Sequence, residues 1–396
     1  MSVSSSAVFI DADEATRRLR VSRATLYAYV SRGLIRSERQ AGTGRTHLYA
    51  LDDVERLIWR KTRARKPAAA AATALSWGLP VLATSLSRIE RGALTYRGRA
   101  INELAESAMF EEVAVLLWNL TENPFEEARF DTAQVAGWEQ LAGPLERDDA
   151  VDRAIALMAL LRREPWTKSC SALPGQSEAK LVQALAHAAT GLRLDTARPL
   201  HLALAEAWNA PDGADIIRRG LVCSADHELN TSAFAARVVA SAHVDYGTAL
   251  LAALAAFCSS EHIGVISRSR RLLAASRAGK SIPDLIAEME ADHEPFACFY
   301  HRLYPDGDPR AGLILDHCRA VPEAERIIDG VWRQKKLRPN IGFALIVAEV
   351  AHGFPTGSAE AIFMIGRAAG WIAHAAEQRA SGIWIRPRAA QVEAPL

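Results

Sequence analysis

From about residue 75 to its end the chain repeats one pattern, apolar residues at three- and four-residue spacing in runs dominated by Ala, Leu and Glu. "INELAESAMFEEVAVLLWNL", "SEAKLVQALAHAATGL", "AFAARVVASAHVDYGTALLAALAAFC" and "AEAIFMIGRAAGWIAHAAEQ" all carry it. That period puts the apolar residues on one face of a helix, and strand signals are nearly absent, so the pattern predicts an all-α architecture. The one exception is "IERGALTYRGRAI", which reads as a small hairpin.

The first 66 residues differ in character. They hold 14 Lys/Arg against 7 Asp/Glu, a balance of +7, within a chain of 396 residues whose formal net charge is only +1. A basic head on an acidic body suits a nucleic-acid-binding module joined to a separate globular domain. Within the head, Ser22 is placed to cap a helix over "SRATLYAYV", with Leu26, Tyr29 and Val30 as its apolar stripe. A short helical pattern through Ala15 and Leu19 precedes it, so the two form a helix-turn-helix. "SERQAGTGRTHLYA" alternates around Gly42 and Gly44 as a short wing would, and "LDDVERLIWRKTRARK" returns to helix. Residues at the start of the second helix of such a pair reach bases or phosphates. The DNA-contacting candidates are therefore Ser22, Arg23, Thr25 and, on the wing, Arg45, within a cluster that also includes Arg32, Arg36 and Arg39. A small three-helix protein-interaction module is the alternative. Residues 67–74 form an alanine-rich linker between domain 1–66 and domain 75–396.

No apolar run is long enough to span a bilayer, and the N-terminus lacks the basic and apolar regions of a signal peptide. The five cysteines are scattered without a CxxC pair, which suits a cytoplasmic protein without a disulfide framework or a metal site.

"VSRATLYAYVSRGLI" and "GTGRTHLYALDDVERL" resemble the winged DNA-binding domain of MerR-type regulators and excisionases. Four further motifs, "RGALTYRGRAINELAESAMFEEVAVLLW", "DHELNTSAFAARVVAS", "HRLYPDGDPRA" and "GSAEAIFMIGRAAGWIAHAAEQ", resemble the citrate synthase family in order and rough spacing over about residues 75–390. That second resemblance implies a helical homodimer of two-subdomain chains, the large subdomain at about 75–225 and 335–396 and the small one at about 226–334. It also implies a pocket for oxaloacetate, with acetyl-CoA or another acyl-CoA as cosubstrate and no resident cofactor.

The resemblance assigns substrate binding to His227, His301, Arg310 and Arg367, and to Arg386 reaching across from the partner chain, with Arg388 as the alternative to Arg386. Guanidinium forks bind carboxylates through two parallel charge-assisted bonds, which suits a small di- or tricarboxylate. Taken singly, each Arg reads equally as a solvated charge and each His as a satisfied core residue.

The resemblance assigns the chemistry to His262, His301 and an aspartate in a "PNVDF"-type segment. Here that segment reads "RPNIGFAL", with Gly342 where the carboxylate belongs. A positioned general base contributes about 10²–10⁴ in rate, and glycine has no proton acceptor. Glu261, beside His262, is the one candidate replacement. Phe299 and Tyr300 also stand where the resembled family has small residues approaching CoA. The sequence therefore leaves two readings. One is a metabolite-responsive transcriptional regulator that binds oxaloacetate, citrate or a relative with impaired catalysis, its dimer placing two heads on double-stranded DNA. The other is an active, divergent citrate or 2-methylcitrate synthase. A structural dimer with a vestigial pocket is the weakest option.

Overall fold

The computed structural model describes residues 9–19, 21–32, 34–39, 47–50, 53–54, 81–146, 149–168, 174–260 and 262–388. The chain divides into two compact units, Met1–Ala83 and Thr84–Leu396. The linker expected at 67–74, together with Arg45, Gly42, Gly44 and Glu261, lies outside the described residues.

In the first unit, helices Ala12–Leu19 and Arg23–Ser31 are joined by a short turn. Ser22 caps the second helix as its sequence position predicts, its Oγ accepting from Thr25 N at 3.3 Å. A polar oxygen at that position satisfies one of the amide groups a helix start leaves unpaired. Strand His47–Ala50 pairs antiparallel with Ser37–Arg39 on one side and Phe9–Ile10 on the other. Ala15, Leu19, Leu26, Ile35, Tyr49 and Val54 make a small core between sheet and helices. Of the helix expected after the wing, Asp53 and Val54 are described, and both are helical.

The second unit is helical apart from the hairpin expected near its start. Strands Ser87–Glu90 and Ala93–Tyr96 pair with Glu90 opposite Ala93, and Arg99–Ala100 extends the sheet. The two turn residues, Arg91 and Gly92, are both left-handed (φ 51° and 78°), the geometry that follows the twist of a tight hairpin.

Helix Ser358–Ser381 runs through the middle, with every residue from Ser358 to Ala375 buried. It packs against helices Phe110–Trp118, Gln176–Thr190, Ala214–Ser224, Thr231–Ala240 and Tyr246–Phe257. A helix buried all round its circumference needs neighbours on every side, which the alanine-rich helices provide. Trp371 is fully buried and donates from Nε1 to Ser232 Oγ at 3.0 Å. Removing a core side chain of that size costs about 3–5 kcal/mol. Helix Ile341–Ala351 is likewise buried along most of its length, packed on Pro309–Leu315 and Ile263–Arg277. No helix among the described residues is long and apolar enough to cross a membrane.

Candidate functional site

The spacing Gly366-x-x-x-Gly370 puts two residues without side chains on one face of the central helix. A Cβ at Gly366 would lie 2.6 Å from Leu221 O, and one at Gly370 would lie 2.4 Å from Ala225 O. Only glycine lets backbone approach this closely. The contact is sealed by Gly370 N donating to Ala225 O at 3.0 Å. It brings the end of helix Ala214–Ser224, and the turn carrying His227, against the helix carrying Arg367. Arg367 donates from Nε to Ser224 O at 2.6 Å across the same seam.

Segment 301–310 closes the other side. His301 and His227 meet edge-to-face with ring centroids 4.8 Å apart. Tyr304 lies against both rings, at 5.0 and 5.5 Å, and its hydroxyl is 3.0 Å from His227 Nε2. Leu303 N donates to His301 Nδ1 at 3.2 Å, so in the neutral ring the proton sits on Nε2. Asp308 caps helix Pro309–Leu315 and forks onto Arg310, its Oδ1 accepting from Nε at 2.9 Å and its Oδ2 from Nη2 at 2.7 Å. Asp308 also accepts from Ile341 N at 3.1 Å, tying this segment to the start of the helix that contains Gly342.

The structure thus brings together His227, His301, Arg310 and Arg367, all buried or nearly so. His262 joins them at the start of helix Ile263–Arg277, with Ser259 Oγ 2.8 Å from its Nδ1. Burial, followed by the charges of Arg310 and Arg367, keeps the histidines neutral. The pKa of His301 falls to about 4 and that of His262, where burial leads and the Arg367 charge follows, to about 3, while His227 is held well below its ordinary value. The two arginines differ. Burial opposes the charge on Arg310, but Asp308 and Tyr304 outweigh it and raise the pKa. Arg367 has Nε bonded to a neutral carbonyl, and burial lowers its pKa to about 10 against the pull of Asp226. A buried guanidinium with that little compensation attracts an anion.

At Gly342, where the resemblance predicts a carboxylate, the space a side chain would take is crowded. A Cβ there would meet Val265 Cγ1 at 2.8 Å. Val265 belongs to the first turn after His262, so both altered segments converge on one spot. Phe299 is buried against Phe343 at 4.9 Å, while Tyr300 is half exposed. Arg386 is exposed beside Trp384, with Cζ 5.8 Å from the ring centroid, and Arg388 is exposed too. Neither lies in the site of its own chain. Val265, Tyr304 and Asp308 were not among the candidates from sequence: the first two act through contacts between segments far apart in the chain, and Asp308 joins a local fork onto Arg310 to a distant bond from Ile341 N.

Comparison with known proteins agrees with this architecture. The citrate synthase C-terminal domain matches residues 74–388, and a helix-turn-helix domain matches residues 9–62. The chain belongs to the citrate synthase family. Among curated relatives, citrate synthase 2 of Bacillus subtilis is 30% identical over 79% of this chain and 93% of its own. Citrate synthase of Mycolicibacterium smegmatis is 27% identical over 78% and 92%, and 2-methylcitrate synthase 1 of Corynebacterium glutamicum 25% over 78% and 91%. The fold is shared with the citrate synthase of Thermotoga maritima (TM-score 0.65, 20% identity, 80% of this chain and 94% of that one). It is also shared with that of Thermoplasma acidophilum, solved as a ternary complex with carboxymethyl coenzyme A and oxaloacetate (TM-score 0.63, 20% identity, 80% and 95%). In this citrate synthase family member the fused helix-turn-helix is the added part.

On that added part, Arg23 is exposed and pairs with exposed Asp13 at 2.6 Å. Ser22 and Thr25 spend their side-chain oxygens on each other and on the cap. Arg36 differs from Arg23 in its partner: its Nε donates to the buried Asp53 at 2.8 Å, which joins the sheet to the following helical residues.

Proposed function

We propose that this protein is a metabolite-responsive DNA-binding regulator. Its citrate-synthase-like unit binds a small di- or tricarboxylate of the oxaloacetate or citrate class without efficient turnover, and its helix-turn-helix unit binds double-stranded DNA. The observation that carries the reading is an asymmetry. His227, His301, Arg310 and Arg367 converge on a buried, cationic site suited to carboxylates, whereas Gly342, at the position the resemblance gives to the catalytic base, has no side chain and is crowded by Val265. Without a base, the acceptor can be held but the acetyl methyl group of acetyl-CoA is not deprotonated. A homodimer would supply Arg386 from the partner chain and place two heads on a two-fold symmetric duplex. The ligand then acts by its differential affinity for two arrangements of the heads.

A second reading, an active citrate or 2-methylcitrate synthase with acyl-CoA as cosubstrate, is favoured by the retention of His262 and His301. Release of free CoA from acetyl-CoA or propionyl-CoA with oxaloacetate separates the two. We expect none above the uncatalysed background, together with calorimetric binding of oxaloacetate or citrate. Turnover at ordinary enzyme rates, a median of about 10 s⁻¹, would overturn the regulator.

A further inference from the structure

The first strand after the boundary between the two units is fastened to the turn that carries His227. Ser87 Oγ donates to Asp226 Oδ2 at 2.5 Å and accepts from Glu228 N at 2.9 Å, so one hydroxyl holds the residues on both sides of His227. Ile89 N donates to Glu228 Oε1 at 2.9 Å, a second bond between the same strand and the same turn. Ser87 and Asp226 are both buried, so neither bond competes with water. Glu228 sits in the left-handed region (φ 50°), which a non-glycine residue occupies only when its surroundings hold it there.

The turn is also in contact with the ligand arginine's helix. Asp226 Oδ1 is 3.2 Å from His374 Nε2, about two helical turns beyond Arg367 on that helix. Asp226 is the charge that supports Arg367, as its pull on the guanidinium shows. Nearer the boundary, Ser85 donates from its N and Oγ to Glu377 Oε1 at 2.7 and 2.9 Å, again on the central helix. The chain leaving the first unit at Ala83 therefore reaches, within four residues, a hydroxyl that grips the ligand-binding turn.

We propose that Ser87 is a positioning residue for the carboxylate site and the link through which occupancy of that site is felt at the start of the chain's path to the helix-turn-helix unit. This rests on the regulator reading above and says how it operates. An anion bound between His227 and Arg367 competes with Asp226 for the guanidinium's charge. Any displacement of the His227 turn as it meets the anion is then carried to Ser87 through Asp226 Oδ2 and Glu228 N. The strand that carries Ser87 tightens or loosens at the point where the tether begins. By linkage, DNA bound to the heads alters carboxylate affinity through the same bond.

The test uses the full chain, citrate and oxaloacetate as ligands, and a duplex enriched by the wild-type protein from a random library. For wild type, saturating ligand is expected to change DNA affinity by about fivefold or more, within the usual range of allosteric coupling. For Ser87→Ala, ligand binding is expected to weaken by about three- to tenfold, as for loss of one buried hydrogen bond, and the ligand effect on DNA to fall below about twofold. Ser87→Thr, which keeps the hydroxyl, should restore both. Thr95→Ala, on the neighbouring strand, should behave as wild type. Glu228→Ala, which removes the second bond, should repeat the loss of coupling if Ser87→Ala fails to fold. If wild type responds to ligand and both Ser87→Ala and Glu228→Ala respond equally, the link is refuted while the regulator stands. A wild-type protein whose DNA binding ignores both carboxylates refutes the regulator itself, and the link with it.

Discussion

Val265 Cγ1 lies 2.8 Å from the position a Cβ on Gly342 would take. Gly342, where the resemblance predicts a carboxylate, thus has the space of a side chain taken up by Val265. Restoring the acid alone forces a side chain against Val265, and such overpacking costs about 1–3 kcal/mol. Gly342→Asp is expected to lower thermal stability and release no CoA from acetyl-CoA with oxaloacetate. The pair Gly342→Asp with Val265→Ala should recover the stability and is the variant in which CoA release is expected. Release by the single variant would show that Val265 is no obstacle.

The two buried arginines should separate stability from binding. Arg310 is paired with Asp308, and removing one partner of a buried pair costs about 3–5 kcal/mol because the other charge is stranded. Arg310→Ala should therefore fail in both thermal melting and citrate calorimetry. Arg367 has no such fork, and replacing an undercompensated buried charge with an apolar side chain is often neutral or stabilising by about 1–4 kcal/mol. Arg367→Met should melt at or above the wild-type temperature yet lose at least about tenfold in citrate affinity. Equal losses from both variants would erase the distinction.

Acid should weaken the unliganded protein before its carboxylates titrate. His301, at about 4, and His262, at about 3, are depressed below the unfolded value, so the unfolded chain binds more protons as pH falls through about 6.5. Each such histidine removes up to about 1.4 kcal/mol of stability per pH unit, until pH reaches its folded value. Their contribution is complete above about 6.5 and is lost progressively toward 4 and below. Denaturant melts at pH 7, 6 and 5 should show the decline, and His301→Gln should make it shallower. A flat profile across that interval would mean these rings are already charged in the fold.

In the helix-turn-helix unit, Arg23 and Arg36 should answer differently to salt. Arg23 is exposed on the second helix, and its loss should weaken binding to any duplex and reduce the slope of log affinity against log salt by about 1. Arg36 is engaged with buried Asp53, and a half-exposed pair of this kind is worth about 1 kcal/mol or less of stability. Arg36→Ala should leave the salt slope near that of wild type. Titrations across a salt series would expose the reverse order directly.

The helical period, the small hairpin and the Ser22 cap were legible in the sequence because each depends on neighbours within a few residues. The convergence of His227, His301, Arg310 and Arg367 was legible through the resemblance, since their order along the chain matches the family's. Gly342 was visible as an absence. What filled the absence was not, because Val265 reaches it from a helix some eighty positions away. Ser87 looked like one serine in a strand, and its grip on Asp226 and Glu228 follows from a contact across about 140 residues. The basic cluster of the head looked uniform in sequence, whereas Arg36, itself exposed, pairs with a buried acid. Local signals reveal elements and charge, and only packing reveals which charge is already spoken for.

The helix from Ser358 to Ser381 is at once the spine of the interior and the mount for Arg367. A site whose central arginine grows from the core helix itself has little freedom to drift there. Changes of register or tilt that would retune Arg367 would also unseat Trp371 and break the glycine seam at Gly366 and Gly370. New ligand preferences in such a chain should therefore arise on the opposite bank, at the exposed positions of the turn-rich stretch from His301 to Arg310, such as Arg302 and Asp306, outside its buried Tyr304, Asp308 and Arg310.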